Sequence, residues 1–267
     1  MAAVRPSPAS RLRVRLLGAA GALAGLLLAG IAAASPAPLG PETGQLLLVL
    51  SPGWDQAQGR LYRFQRDAQG QWQQQGEGLA VSLGRNGSAW GSGLHPEQGL
   101  PEGPRKREGD GRSPAGVFAI GPAFGYARNH GFRMPYLAMD AQHWCVDVPE
   151  SPLYNTIVDT REVGAAAVAG SSEPMRRDLH LGGDMVYRLG FVIAHNPDNV
   201  PGAGSCIFAH LRRAPGDTTA GCTALDAPDM DALMQWIDPA QAPRLVLLPQ
   251  AAYAGLRQAW QLPAVTP

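Results

Sequence analysis

The sequence predicts a mostly-β, α+β domain, and three observations point there. The chain of 267 residues carries 33 glycines and 24 prolines, the composition of many turns and short strands. Its apolar residues fall in brief runs of strand length, at residues 45–51, 79–83, 187–196, 206–211 and 244–248. One segment carries a helical stripe instead, Met230, Leu233, Met234 and Ile237. Formal charge is zero, with 22 basic and 22 acidic residues, so no nucleic-acid partner is expected.

The first 34 residues stand apart from the fold. Arg5, Arg11, Arg13 and Arg15 form a basic region, residues 16–34 are apolar, and Ala32-Ala33-Ala34 offers a small-residue cleavage site before Ser35. This is a secretory signal peptide or, left uncleaved, an N-terminal membrane anchor. Either places the rest of the chain outside the cytoplasm, periplasmic or secreted. A short linker follows over 35–41, and one domain is expected over 42–262, acting as a monomer. Membrane contact is expected only if the leader stays attached.

In chain order, residues 45–51 form a first strand closed by Pro52-Gly53. Residues 60–66 and 71–75 flank the turn Asp67-Ala68-Gln69-Gly70 and read as a hairpin, and 79–83 continue a meander. The glycine-rich stretch after Gly84 includes the turn pair Asn86-Gly87, but no Lys-Ser/Thr pair completes a phosphate-binding loop. Residues 101–112 are polar and turn-rich, a surface loop that delivers a strand at Ser113. Residues 161–175, rich in Ala, Gly and Ser, read as a flexible excursion, and Arg176-Arg177-Asp178 as a solvated charge cluster. Asp226 is a plausible cap for a helix opened by Ala227-Pro228, ending at Asp238-Pro239. Residues 244–248 form a last buried strand, and 250–260 a closing short helix.

The chemistry-bearing residues gather late in the chain. His210 ends an apolar run, and twelve residues on Gly221-Cys222 stands before the helical pattern. A histidine within reach of a thiol is the minimum for a cysteine nucleophile: the imidazole takes the proton and the thiolate attacks a carbonyl. The helix dipole would favour the thiolate and place its pKa in the range ~3.5–7.5 of activated cysteines. On the strand 206–211, Cys206, Phe208 and His210 share one face. Arg212 follows on the face of His210, either receiving a substrate carboxylate or merely solvated. Ser205, in the turn entering this strand, is a further candidate substrate contact. His195 ends the preceding strand, either beside the substrate or as a satisfied structural histidine. Asp217 is a candidate to orient His210.

Cys145 and Cys206 either pair in a disulfide or remain small buried thiols. His143 and Cys145 alternate on one strand, but zinc needs about three protein ligands and no motif supplies the rest. No metal and no cofactor is expected.

Residues 207–225 resemble the catalytic motif of the L,D-transpeptidase (YkuD-like) family, a histidine, a spacer and then Ser/Thr-His-Gly-Cys. His210, Thr219, Gly221 and Cys222 fill it. Ala220 stands where the family usually has a second histidine, the spacer is shorter, and Ala224 replaces an arginine common two residues after the cysteine. Gly111, Ser113, Pro114, Gly116 and Phe118 fill a second family pattern, a Gly-x-Ser-Pro-x-Gly-x-Phe entry strand. Residues 145–155 resemble a divergent subgroup.

The resemblance implies a β-sandwich with a helix after the cysteine and a short C-terminal helix. It implies a cysteine acyltransferase acting on peptidoglycan stem peptides. Cys222 would attack the amide between an L-centre and a D-amino acid, and His210 would act as base and then acid. A backbone carbonyl near the Thr219–Cys222 turn would orient the imidazole, and Thr219 would shape the turn. The N–H groups around Gly221 to Thr223 would form the oxyanion hole. Carbapenems, which acylate many such enzymes, would be expected to modify the thiol. An L,D-carboxypeptidase on the same site, a non-catalytic wall-binding module and a metal-dependent amidase are the other readings.

Overall fold

Short apolar strands separated by Gly- and Pro-rich turns pair into one large sheet and one small one. The computed structural model describes Ala2 and residues 37–266. The leader read over residues 1–34 therefore lies, apart from Ala2, outside the described residues. The strands are β1 (Gln45–Ser51), β2 (Gln58–Arg66), β3 (Trp72–Gln74), β4 (Leu79–Ser82), β5 (Ser88–Trp90), β6 (Ser113–Gly125) and β7 (Tyr136–Ala138). They continue as β8 (His143–Cys145), β9 (Ile157–Asp159), β10 (Glu173–Pro174), β11 (Leu189–Ile193), β12 (Phe208–Leu211), β13 (Thr223–Leu225) and β14 (Arg244–Pro249). The helices are α1 (Thr160–Val163), α2 (Arg177–His180), α3 (Ala227–Trp236) and α4 (Gln250–Leu256).

The large sheet runs β1-β14-β6-β11-β12-β13-β4-β2-β3, and β2 also pairs with β1. The path closes on itself, so these strands leave no open edge between β1 and β2. The implied sandwich is thus one sheet bent round a shared core. The meander read at the start is present in its first three strands, β1, β2 and β3, which pair antiparallel in sequence; β4 does not continue it but returns to pair with β2 rather than β3. The core gathers Leu46, Leu48, Val117, Phe191, Leu245 and Leu247 from the strands with Met230, Leu233 and Met234 from α3. The helical stripe is core packing.

The entry motif at Ser113 opens β6, the longest strand, with 13 residues. Gly116 sits there at φ +136°, and a Cβ would meet the His95 ring at 2.0 Å. His95 Nδ1 accepts the Val117 N–H at 3.0 Å, so the glycine makes room for a histidine that pins the strand.

The small sheet, β10-β8-β9, shares no ladder with the large one. A disulfide between Cys145 and Cys206, with Cα atoms 5.9 Å apart, ties it to the lead-in of β12. Cys145 is thereby unable to act as a metal ligand with His143. Asn155 adds a second tie: its Oδ1 accepts the Cys206 N–H at 2.9 Å, and its Nδ2 donates to the Asn196 carbonyl at 3.0 Å.

Two expectations change. The stretch 161–175 is more ordered than its composition suggests: a 3-10 turn over Ala165–Val168 precedes β10, and β10 pairs with β8 through Glu173 opposite Cys145. The strand β13 also stands between Cys222 and α3. Three residues before a helix cap carry too little pattern to announce a strand; parallel pairing with β12 creates it.

Candidate active site

Cys222 immediately precedes β13. In the parallel ladder Ala209 lies opposite Thr223 and His210 opposite Ala224, a register that sets Phe208 beside Cys222. The Phe208 N–H donates to the sulfur at 3.4 Å, and the thiol points to the Cys206 carbonyl at 3.6 Å. Side chains alternate along β12 as expected. Phe208 packs in a second apolar cluster with Cys222, Phe124 and Tyr187, whereas Ala209 and Leu211 join the main core.

Two hydroxyls hold the backbone of Cys222. Ser113 Oγ and Thr219 Oγ1 donate to the Cys222 carbonyl at 2.8 and 2.7 Å. Ser113 Oγ accepts the Gly84 N–H at 2.9 Å, joining β6, the loop after β4 and the cysteine in one chain of bonds. Thr219 Oγ1 accepts the Gly221 N–H at 3.1 Å. Thr219 therefore shapes the turn as expected, while the Gly221 N–H is engaged in it and is not a free oxyanion donor. Thr223 is buried in the ladder opposite Ala209.

His210 is buried, with its ring 5.3 Å from that of Tyr187. Nδ1 contacts the Leu211 carbonyl at 2.8 Å. A carbonyl only accepts, so the proton sits on Nδ1 and Nε2 carries the lone pair. The carbonyl that holds the ring is that of the next residue, Leu211, not one from the Thr219–Cys222 turn, while Asp217 is exposed on its loop. Burial pulls the imidazole down to about 4.

The thiol departs from the sequence reading. Burial, followed by the negative charge of Glu173, pushes Cys222 up to about 12. The expected depressed value fails for two physical reasons: the sulfur sits in an apolar cluster, and β13 carries the chain away before the α3 dipole begins. Among the described residues no hydrogen bond joins the imidazole to the sulfur, so the resting pair is thiol and neutral imidazole.

A cleft of about 210 Å³ opens beside the sulfur. Ala220, Gly221, Cys222 and Ser205 line it with Lys106, Glu108 and Arg85, and the small-sheet side adds Asp147, Ser172 and Glu173. Ser205 lines this cleft, and its hydroxyl donates to Glu108 Oε2 at 2.7 Å.

Two candidates do not. The guanidinium of Arg212 is closed on Asp226, with Nε to Oδ1 at 3.0 Å and Nη2 to Oδ2 at 2.5 Å, and its side chain is 5% exposed. Its fork is filled, so it is not the receptor for a substrate carboxylate. Asp226 occupies the cap position of α3 without a side-chain capping bond. His195 is buried between the Ser92 and Ala203 carbonyls, at 3.2 and 3.0 Å, and does not line the cleft. It is a structural residue: burial draws its pKa down to about 4, and the neutral ring gives its one N–H to one of these two carbonyls.

A family model for the L,D-transpeptidase catalytic domain, YkuD, matches residues 54–246. The chain belongs to this family. No curated protein and no solved structure matches it. The family is one of L,D-transpeptidase catalytic domains, and membership implies peptidoglycan-related function in general. The matched span contains both sequence motifs and every cleft residue named above.

Sequence reasoning missed Glu173 and Tyr187, and it read Arg177 within a solvated charge cluster, whereas the Arg177 side chain is 15% exposed and ion-paired. Glu173 Oε2 accepts the Tyr187 hydroxyl at 2.8 Å and Arg177 Nη1 at 3.0 Å. Arg177 Nε also reaches Asp184 Oδ2 at 2.9 Å, and its guanidinium lies 5.0 Å from the Tyr187 ring centre. Glu173 is the one acid between Gly164 and Met175, a sparse but readable signal within a stretch otherwise free of charge.

Two outcomes follow from this geometry. Ser113→Ala leaves the Gly84 N–H without its acceptor and strips one donor from the Cys222 carbonyl. It should cost about 1–3 kcal/mol, read by denaturant unfolding; an unchanged midpoint would remove the hydroxyl bridge from the account. His195 and His210 are held neutral, with folded pKa values near 4 against an unfolded value near 6.5. Their contribution to stability is complete above about pH 6.5 and is lost as pH falls towards 4, because the unfolded chain takes up the protons first. Unfolding midpoints measured across that window should decline, and His195→Gln should flatten the decline.

Proposed function

We propose that this YkuD domain, over residues 42–262, is a cysteine-dependent L,D-transpeptidase that acts on peptidoglycan stem peptides. The observation that carries the reading is the placement of the free thiol of Cys222 at the cleft, one strand from His210, with Nε2 of the imidazole unprotonated. Cys222 attacks the carbonyl of the amide between an L-centre and a D-residue. The S–H proton passes to His210, the C–S bond forms, and collapse of the tetrahedral adduct breaks the C–N bond. The imidazolium returns its proton to the departing amine, leaving a thioester.

Backbone N–H groups near the Cys222–Thr223 step, rather than that of Gly221, are the candidates to receive the oxyanion. An amine from a second stem peptide then attacks the thioester and frees the sulfur. The resting bond pattern supports a nucleophile kept protonated until substrate displaces water from the cleft, since catalytic contacts commonly tighten only in the complex.

We assign the domain to the periplasm or the cell exterior. The basic-then-apolar leader supports that assignment, and so does a Cys145–Cys206 disulfide, which persists in oxidising compartments.

Incubation with a stem tetrapeptide, with and without an acceptor amine, followed by product analysis, tests the reading. The account expects release of the terminal D-residue and, with acceptor, a new cross-linked product. Cys222→Ala should reduce both to background while leaving the unfolding midpoint within about 1 kcal/mol of the parent, a common scale for conservative changes. Turnover retained by Cys222→Ala would sink the mechanism, and D-residue release that never yields a cross-link would make the enzyme a carboxypeptidase.

A further inference from the structure

Glu173 reaches the cleft from the small sheet and has no place in the reaction just described. Its Oε2 is filled by Tyr187 and Arg177, while Oε1 has no partner among the described residues and the residue lines the same cleft as the sulfur. The side chain is 22% exposed, so its opening is towards that cleft. A carboxyl and a thiol thus line one cleft, and Arg177 is the cation bonded to that carboxyl.

The surroundings fix the charge count. From the segment before β11, Tyr187 gives its hydroxyl to Glu173, and Asp184 binds Arg177. Arg213, after β12, binds Asp184 at 2.5 Å, so Arg177 is left to balance Glu173. On the other walls Lys106 is paired with Asp110 at 2.5 Å, and Glu108 takes hydroxyls from Ser205 and Tyr154. Asp147 is engaged with Ser172, Arg85 is exposed at the mouth, and His210 is neutral.

We propose that Glu173 governs the ionisation of Cys222: the carboxyl and the thiol hold a single negative charge between them, set against Arg177. With Glu173 ionised, the thiol keeps its proton. With Glu173 neutral, the positive charge of Arg177 is no longer balanced by that carboxylate, and a thiolate forms. Like charges in one low-dielectric site cannot both ionise at ordinary cost. The directions agree with this geometry: burial raises Glu173, and burial and then Glu173 raise Cys222. Glu173 is therefore a positioning residue for charge, delivered to the nucleophile by β10 and held there through the disulfide-tied sheet. His210 receives the thiol proton in the state in which Glu173 is neutral.

This inference rests on Cys222 as the reactive group, but its test uses no peptidoglycan substrate, so its failure is distinguishable from failure of the proposed function. Cys222 is the free cysteine, so alkylation of the intact full domain by iodoacetamide reports on it alone, with intact mass confirming a single adduct. The rate is measured against pH for the parent, Glu173→Gln, Glu173→Asp and Arg177→Gln.

Removing a negative neighbour favours the thiolate, so Glu173→Gln should lower the midpoint by roughly 1 pH unit or more, about tenfold more thiolate at a fixed pH below it. Glu173→Asp, which keeps the charge, should stay near the parent, whereas a merely structural defect would appear in both. Arg177→Gln should move the midpoint the other way. Coincident midpoints for the parent and Glu173→Gln, or a rise in the latter, would overturn the proposal. Should Glu173→Gln fail to fold, an Arg177→Gln midpoint that does not rise would overturn it equally.

Discussion

The parallel pairing of β12 with β13 is the constraint on which the site depends. It sets Phe208 beside Cys222 and His210 beside Ala224. The thiol and the imidazole thereby sit on neighbouring strands, two pleats apart along one face. No turn joins two parallel strands directly, so residues 212–222 must cross from the end of one to the start of the other. That crossing carries Thr219 and Gly221, and Ser113 meets it from β6 to fasten the Cys222 carbonyl. The entry motif and the cysteine motif are far apart in sequence and are joined through this one carbonyl.

The same pairing explains why the resting thiol is quiet. A cysteine entering a strand inside an apolar cluster loses hydration, and among the described residues no cation is hydrogen-bonded to the sulfur. The imidazole is equally dry and stays neutral. Burial thus works against both partners of the thiolate–imidazolium pair. A site of this kind needs substrate, or a change in the charge beside it, to become nucleophilic. The small sheet supplies that neighbouring charge in Glu173, and the disulfide fixes where the sheet stands relative to β12.

Much of this was legible in the sequence where local pattern and structure coincide. The strand runs, the helical stripe at Met230 to Ile237 and the two family motifs were readable because each is set by residues near one another. Arg212 was misread because its partner, Asp226, lies across a ladder that sequence spacing does not reveal, and the same arginine on an unpaired strand end would face solvent. The thiol's environment was misread because β13 exists only through its pairing with β12. Glu173 was passed over because a lone acid in an Ala/Gly/Ser-rich stretch has no local signature; its meaning comes from β8, Tyr187 and Arg177, which are brought to it by the fold.

The central claim is that Cys222 is a nucleophile in a pocket that accepts a D-amide-like carbonyl. Intact-mass measurement of the domain after incubation with a carbapenem tests it most directly. The account predicts a single covalent adduct of the β-lactam's mass that is absent in Cys222→Ala. An absent adduct, with Cys222 still open to a small alkylating reagent, would contradict the claim: the thiol would be reachable, but the pocket would not be one that acylates.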